Sequence, residues 1–277
     1  MKFASLGSGS EGNALLISSG SESASASALA SGAEVRSSED NTTIMLDCGF
    51  TLRETERRLQ RLAVDPSSLA GILVTHEHSD HVGGVFKLAR RYQLPVWLSY
   101  GTWQAVKDAA SGVDVRFCRD NMPITIGALE VLPYTVPHDA REPLQYVVRN
   151  GRLQLGVLTD VGHPTAHLVA SLAACDALLL ECNHDVRLLA ESRYPPSLKS
   201  RIGGPFGHLS NVHAAQILAS LDRSRLNKIV GAHLSQQNNT PELARSAIDS
   251  VVEAEQIDVL IACQEEGFGW LACDRQL

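Results

Sequence analysis

Short apolar runs broken by polar turns dominate the first half of the chain. Asn13-Ala14-Leu15-Leu16-Ile17 and Thr43-Ile44-Met45-Leu46-Asp47 are too short for helices and predict two paired strands, and Gly71-Ile72-Leu73-Val74 predicts a buried third. A helix over 84–92, a strand over 96–98 and a helix over 102–110 follow. The middle of the chain is strand-rich, at 129–136, 144–149 and 153–158, and Asn150-Gly151 is a two-residue hairpin turn between the last two. Helix and strand then alternate again. Strands are predicted over 177–180, 228–231 and 259–262, and helices over 212–221 and 241–255, the latter opened by Thr240 as N-cap with Pro241 in the first position. Strand-rich blocks at both ends with helices between them predict an α/β fold in which two sheets pack together under outer helices. That is a four-layer αββα sandwich, read as one domain over 1–277 with no linker dividing it. One stretch stands apart: 18–40, with Ser21-Glu22-Ser23-Ala24-Ser25-Ala26-Ser27-Ala28, is poor in bulky apolar residues and predicts a mobile loop between two strands, with a lid as the functional alternative.

Polar residues placed at strand ends change this picture from a fold to a site. Thr75-His76-Glu77-His78-Ser79-Asp80-His81 follows the 71–74 strand directly, and three histidines in six residues are out of proportion to ten in 277. Two imidazoles at i and i+2 can face one way there, while Asp80 and His81 turn toward a second ion. His138 follows Tyr134-Thr135-Val136-Pro137, Asp160 follows Gly156-Val157-Leu158-Thr159, and His233 follows Ile229-Val230-Gly231-Ala232. Strand ends converge on one sheet edge, so these residues are expected to meet His76. The expected arrangement is two divalent ions. One is held by His76, His78, His138 and Asp160, the other by Asp80, His81, Asp160 and His233, with Asp160 as the bridge. An all-nitrogen and oxygen donor set accepts zinc, manganese or iron. A bridging hydroxide is the expected nucleophile, because two ions about 3.5–4 Å apart activate water and clamp a phosphoryl oxygen. Asp47 also ends a strand and is expected to accept a hydrogen bond from a ligand imidazole. The bland alternatives are a loop role for His138 and a helix-capping role for Asp160.

Composition narrows the class. With 44% hydrophobic and 5% aromatic residues the chain can fill a layered core, and its net charge of −7 argues against a generally basic nucleic-acid surface without excluding a local patch. Six cysteines without any C-x-x-C pair suggest neither a zinc knuckle nor a disulfide framework, and fit a reducing cytosol. The N-terminus carries no apolar signal-like segment and no stretch approaches the length of a membrane span, so a soluble intracellular protein is expected. Gly7-Ser8-Gly9-Ser10-Glu11-Gly12 matches the dinucleotide fingerprint, but a strand follows where a helix is required. A turn at the site edge with backbone N–H groups near a phosphate is the functional alternative, and plain turn chemistry the structural one.

These residues resemble the metallo-β-lactamase fold family, whose His-x-His-x-Asp-His signature stands here as His76 to His81. Asp47, the cluster, His138, Asp160 and His233 fall in the order of that superfamily's five motifs, and the resemblance spans nearly the whole chain. Fold and metals are implied, but the reaction is not, since the superfamily includes lactamases, thioesterases, phosphodiesterases and nucleases. Leu180-Glu181-Cys182-Asn183-His184-Asp185, Tyr194-Pro195-Pro196-Ser197-Leu198-Lys199-Ser200-Arg201-Ile202, Gly207-His208-Leu209-Ser210-Asn211 and Ala232-His233-Leu234-Ser235-Gln236-Gln237-Asn238-Asn239, with Gly7 to Asn13, look like the YycJ/WalJ branch of metal-dependent nucleases. The resemblance implies a nucleic-acid substrate, DNA first, cut 5′→3′ as an exonuclease. It also implies that Glu181 and His208 form a proton-relay pair like that of related tRNA-processing enzymes, with Asp80 among the catalytic residues. His208 stands just before a predicted helix N-terminus, where an anion is welcome, and packing or capping is its alternative role. Ser8, Ser10, Asn13, Ser210 and Asn211 are candidate phosphate contacts. Arg187, Arg193, Lys199 and Arg201 against Glu191 form a local basic excess suited to a nucleic-acid backbone or to ordinary solvated surface. His184 and Asp185 lie near these motifs without an assigned role, and His163, His167 and His213 are expected outside the site. The competing functions are a small-molecule hydrolase of the same fold, acting on a cyclic phosphodiester, thioester or lactam, and a silent scaffold, which the full ligand set opposes.

Overall fold

The computed structural model describes residues 1–20 and 41–274. One seven-stranded sheet runs in the order Phe268–Ala272 (β14), Lys2–Gly7 (β1), Ala14–Ser18 (β2), Thr43–Leu46 (β3), Leu69–Leu73 (β4), Val96–Leu98 (β5) and Val115–Phe117 (β6). The other runs Asp258–Ile261 (β13), Lys228–Ala232 (β12), Ala177–Glu181 (β11), Leu153–Leu158 (β10), Leu144–Asn150 (β9), Leu129–Thr135 (β8) and Ile124–Ile126 (β7). In each sheet an antiparallel half adjoins a parallel one: β3 to β6 are parallel in the first, and β10 to β13 in the second.

Three apolar cores account for the four layers. Phe3, Leu15, Ile17 and Leu46 from one sheet meet Val131, Tyr146, Val157 and Leu179 from the other. The alternate residues Ala14, Leu16 and Met45 face outward to a second core under Leu59, Val85, Phe86 and Leu88. Leu178, Leu180 and Ile229 do the same on the far side, under Leu168, Ala214, Ile217 and Ile248. Strands covered on both faces read as continuous apolar runs, which explains the lack of alternation at 14–17 and 177–180. The outer helices include Leu52–Arg61 (α1) and Val85–Tyr92 (α3) on the first sheet, and Asn211–Ser220 (α8) and Pro241–Val252 (α9) on the second. Thr240 caps α9 through Leu243 N, with Pro241 at the first position, but the helix ends at Val252, short of the expected 255. The helix expected over 102–110 is Tyr100–Val106 (α4), starting two residues early because Ser99 accepts from Thr102 N at 3.0 Å. Of the expected 18–40 loop, Ser18 instead closes β2, paired with Lys2 and Thr43, and 21–40 lie outside the described residues. No helix among the described residues is long and apolar enough to cross a membrane. The six cysteines are unpaired, and burial pushes the Cys48 thiol up to about 11, which keeps it protonated and inert beside the site.

The parallel strands deliver their C-terminal ends to one edge, where the loops after β3 and β4 interlock. Cys48 N donates to His81 O at 2.7 Å, Asn13 N to Asp80 O at 2.8 Å, and Gly49 N to Asn13 O at 3.0 Å. A Cβ on Gly49 would stand 1.9 Å from the Asp80 carbonyl oxygen, so only glycine permits this approach. Gly49→Ala is therefore expected to destabilise the protein by about 1–3 kcal/mol, the usual cost of overpacking, read as a lower urea midpoint. An unchanged midpoint would show that the Asp80 turn can yield.

Candidate metal centre

The first sheet supplies the histidine cluster and the carboxylate that orients it. Asp47, just past β3, adopts a left-handed backbone with φ 59° and is almost fully buried. Its carboxylate accepts from Thr75 N and Thr75 Oγ1, each at 2.8 Å, and pairs with His81 Nδ1 at 2.8 Å. Thr75 Oγ1 donates to Asp47, so it is an acceptor for His76 Nδ1 at 2.9 Å. Both imidazoles are thereby bound at Nδ1, leaving Nε2 to face the centre. Asp80 and His81 lie on the single turn Ser79–Val82 (α2), which presents them side by side.

The second sheet mirrors this arrangement with Glu181, the last residue of β11 and fully buried. One of its oxygens accepts from Val161 N at 2.9 Å and Leu209 N at 3.1 Å. The other lies 2.8 Å from His208 Nδ1 and 3.2 Å from His233 Nδ1. Burial opposes the charged carboxylate, yet His208 and His233 hold it down at about 2. Burial likewise disfavours the imidazolium of His208, but Glu181 and Asp160 outweigh it and raise that histidine above its ordinary value. Asp160 and His233 follow β10 and β12 with left-handed backbones, φ 53° and 56°. His138, after β8, is held at Nδ1 by Gly207 O at 3.0 Å.

All seven expected ligands converge. Ligand-capable atoms of His76, His78 and His138 lie within 4.8 Å of one another, as do those of Asp80, His81 and His233, and those of His76, His81 and Asp160 join the two groups. A tetrahedral zinc with Zn–N near 2.0–2.1 Å places neighbouring donors about 3.3 Å apart. The separations here match: His138 Nε2 to His78 Nδ1 is 3.3 Å, His81 Nε2 to Asp160 Oδ2 3.1 Å, and His81 Nε2 to Asp80 Oδ2 3.4 Å. His76 Nε2, Asp160 Oδ2 and His233 Nε2 are buried without a hydrogen-bond partner, an arrangement costly to maintain unless a cation sits among them. The residues present therefore fit two divalent ions. Without them, burial keeps His76 and His138 neutral, as ligands must be, whereas Asp160 with Asp47 overrides burial at His81, and Asp160 with Asp80 lifts His233 to about 10.

Most of the candidate phosphate contacts are engaged in local hydrogen bonds. Ser8 Oγ accepts from His233 N at 2.9 Å, so it fixes a backbone. Asn13 is spent on Gly9, with bonds of 2.8 and 3.0 Å, and stands 3.1 Å from His81 Nε2. Ser210 caps α8 through His213 N, and Asn211 forms a reciprocal buried pair with Asn239. Local hydrogen bonding thus gives each of these short polar side chains a structural role. Ser10 does line the open cavity over the centre, about 380 Å³, with Asp80, Asp160, His208 and His233. The far wall is Tyr194, Leu198, Arg201 and Ile202, of which the last three belong to Pro196–Ile202 (α7), and Arg201 pairs with Asp139 at 2.6 Å. His184 is buried behind the site with Nδ1 unpartnered, and burial pulls it down to about 4. Asp185 caps the helix Val186–Glu191 (α6). His163 and His167 stand outside, bonded to Pro205 O and Asp120. Sequence reasoning missed the part played by Thr75, which stands next to the cluster, and the tie between Glu181 and His233. The cavity wall falls on the Tyr194 to Ile202 motif singled out in the sequence, though without a role there.

Residues 42–229 match the family described as the β-lactamase superfamily domain. Exodeoxyribonuclease YycJ of Bacillus anthracis is 33% identical over 97% of this chain and 91% of its own length. Exodeoxyribonuclease WalJ of Streptococcus pneumoniae is 31% identical over 76% and 81%. The metallo-β-lactamase fold protein YhfI of Bacillus subtilis superposes with a TM-score of 0.69 at 14% identity, covering 98% of this chain and 99% of that one, which supports the fold alone. With its two sheets, its strand-end donors and these relatives, the chain belongs to the metallo-β-lactamase superfamily, in the branch that holds YycJ and WalJ.

Proposed function

We propose that the protein is a dinuclear metal-dependent phosphodiesterase that shortens DNA from an end, 5′→3′, with zinc or manganese, or else iron, in the site. The observation that carries this reading is His208, bound at 2.8 Å to buried Glu181 and facing the same cavity as Asp80, Asp160 and His233. His76, His78, His138 and Asp160 would hold one ion, and Asp80, His81, Asp160 and His233 the other. When bound, such a pair of ions activates water and offsets charge on a phosphoryl group. Glu181 fixes His208 by its Nδ1 and favours the imidazolium, so Nε2 can deliver a proton to the leaving oxygen of the cleaved diester. That group suits an alkoxide leaving group, which needs a proton, more than a thioester, whose thiolate departs without one. Arg201 on the cavity wall, paired there with Asp139, is the cation that a neighbouring phosphate would compete for. The relatives named exodeoxyribonucleases support DNA as the substrate. A single domain and a cytosolic setting, consistent with unpaired cysteines, belong to the same proposal.

The deciding assay supplies metal-stripped protein with manganese or zinc and offers 5′- and 3′-labelled DNA and RNA beside bis-p-nitrophenyl phosphate. Metal-dependent shortening of DNA is expected, with 5′ label released first. Cleavage of the small diester alone would instead identify a small-molecule phosphodiesterase. Asp80→Ala should abolish hydrolysis and lower the bound metal measured by mass spectrometry while leaving the circular dichroism spectrum unchanged, and full activity in that variant would sink the assignment. His208→Ala should keep both metals yet lose about 10²–10⁴-fold in kcat on DNA, with a smaller loss on p-nitrophenolate esters, whose leaving group needs no proton. Equal losses on both substrates would reduce His208 to a structural role.

A further inference from the structure

Strongly exposed aromatic side chains are few. Among the described residues they are Tyr100, Phe117 and Phe206, at 56%, 47% and 57% exposure, and rings exposed singly need no explanation. Two of the three are not single. Tyr100 opens α4 and Phe117 ends β6, the edge strand of the first sheet, with half-buried Trp103 against both. Ring centroids are 5.5 Å apart for Tyr100 and Trp103, 5.6 Å for Tyr100 and Phe117, and 5.8 Å for Trp103 and Phe117. A cluster serving only the core would bury its rings, as Phe3 and Phe268 do; this one stays about half in water.

Its position ties it to the catalytic edge. Strands β4, β5 and β6 are parallel, so the turn after β5 and the last residue of β6 lie on the edge that carries the His76 to His81 loop. Hydrogen bonds connect the two. Thr102 Oγ1 donates to Glu77 Oε2 at 3.4 Å, and Glu77 stands between His76 and His78. The other Glu77 oxygen accepts from Arg141 N at 2.9 Å, and Glu142 accepts from Gly101 N at 2.6 Å. Arg141 is therefore bracketed between the metal loop and the rings, with its side chain exposed and without an ion pair among the described residues. Gln104 Nε2 donates to the Tyr100 hydroxyl at 2.6 Å and steadies that ring.

We propose that Tyr100, Trp103 and Phe117 form a stacking platform for unpaired nucleobases of the nucleic-acid strand whose backbone enters the metal centre, with Arg141 meeting an intervening phosphate. The inference rests on the nuclease reading and deepens it, because it assigns the substrate as single-stranded at that point. Every base has a π-face, so aromatic platforms bind unpaired strands with little regard to sequence, and Arg141 adds charge that tracks the backbone. A duplex keeps its bases stacked on one another and offers the platform nothing.

The test uses metal-loaded Tyr100→Ala/Phe117→Ala protein with a single-stranded oligonucleotide, its blunt duplex, and bis-p-nitrophenyl phosphate, which is too short to span both places and so sets the baseline. Relative to that baseline, KM for the single strand should rise about tenfold or more, and Tyr100→Phe/Phe117→Tyr should restore it. Trp103 emission, identified with a Trp103→Phe control, should be quenched by the oligonucleotide in the parent protein and much less in the double alanine variant. Unchanged baseline-corrected KM and unchanged quenching would overturn the platform, and would be the result if the patch docks a protein. If the parent cleaves only the small diester while the oligonucleotide still quenches Trp103, the nuclease reading fails and the platform stands. Polymer cleavage without quenching fails the platform alone.

Discussion

The carboxylate of Asp47 is buried at the end of β3, and a charge in that position persists only when it is fully hydrogen-bonded. Thr75 and His81 supply those bonds, so the demand of one buried anion sets the orientation of the loop that follows β4. Glu181 imposes the same condition on the other sheet, where two backbone amides and two imidazoles answer it. Each sheet thus carries one carboxylate that reads out as imidazole geometry. The donor atoms meet because the two sheets are packed face to face through the apolar core of Phe3, Leu46, Tyr146 and Val157.

This division of labour explains why the centre is precise while standing on loops. The loops are short, they begin on strands buried on both faces, and their backbones are tied across the chain, as in Asn13 to Asp80 and Cys48 to His81. Tyr146 adds a cross-sheet tie, its hydroxyl donating to Val74 O at 2.7 Å next to the metal loop. Side chains that line the open cavity sit instead on a short surface helix, as Arg201 does, or on the loop before it, as Tyr194 does, where substrate contacts can vary without disturbing the donors.

The sequence disclosed whatever depended on position along a strand. His76 to His81, His138, Asp160 and His233 each end an apolar run, so burial of the run and convergence of strand ends were enough to bring them together. The layer order was legible for the same reason: runs at 14–17 and 177–180 are apolar on both faces. Pairings between distant segments were not legible. Nothing near Glu181 announces that it also reaches His233, which depends on the register of β11 against β12, or that Ser8 would accept from the His233 backbone, which depends on how β1 and β12 face each other across the sandwich. Short polar residues were the least legible. Asn13, Ser210 and Asn211 suit a phosphate by chemistry, and each also holds a turn, a cap or a buried side-chain pair that the sequence did not announce. Helix α4 was misplaced at both ends: it starts two residues early because Ser99, just past β5, caps it, and it stops at Val106 rather than 110.

The left-handed backbone at Asp47, Asp160 and His233 limits what evolution can try there. Aspartate, asparagine, histidine and glycine tolerate this conformation, whereas β-branched and bulky residues do not. A descendant that abandons the chemistry can therefore pass through asparagine or glycine at these three places and keep its fold, but it cannot replace a donor with valine or isoleucine without rebuilding the strand end. Relics of lost activity in this lineage should be recognisable by small polar or glycine residues at these corners, because backbone shape outlives the chemistry it once served.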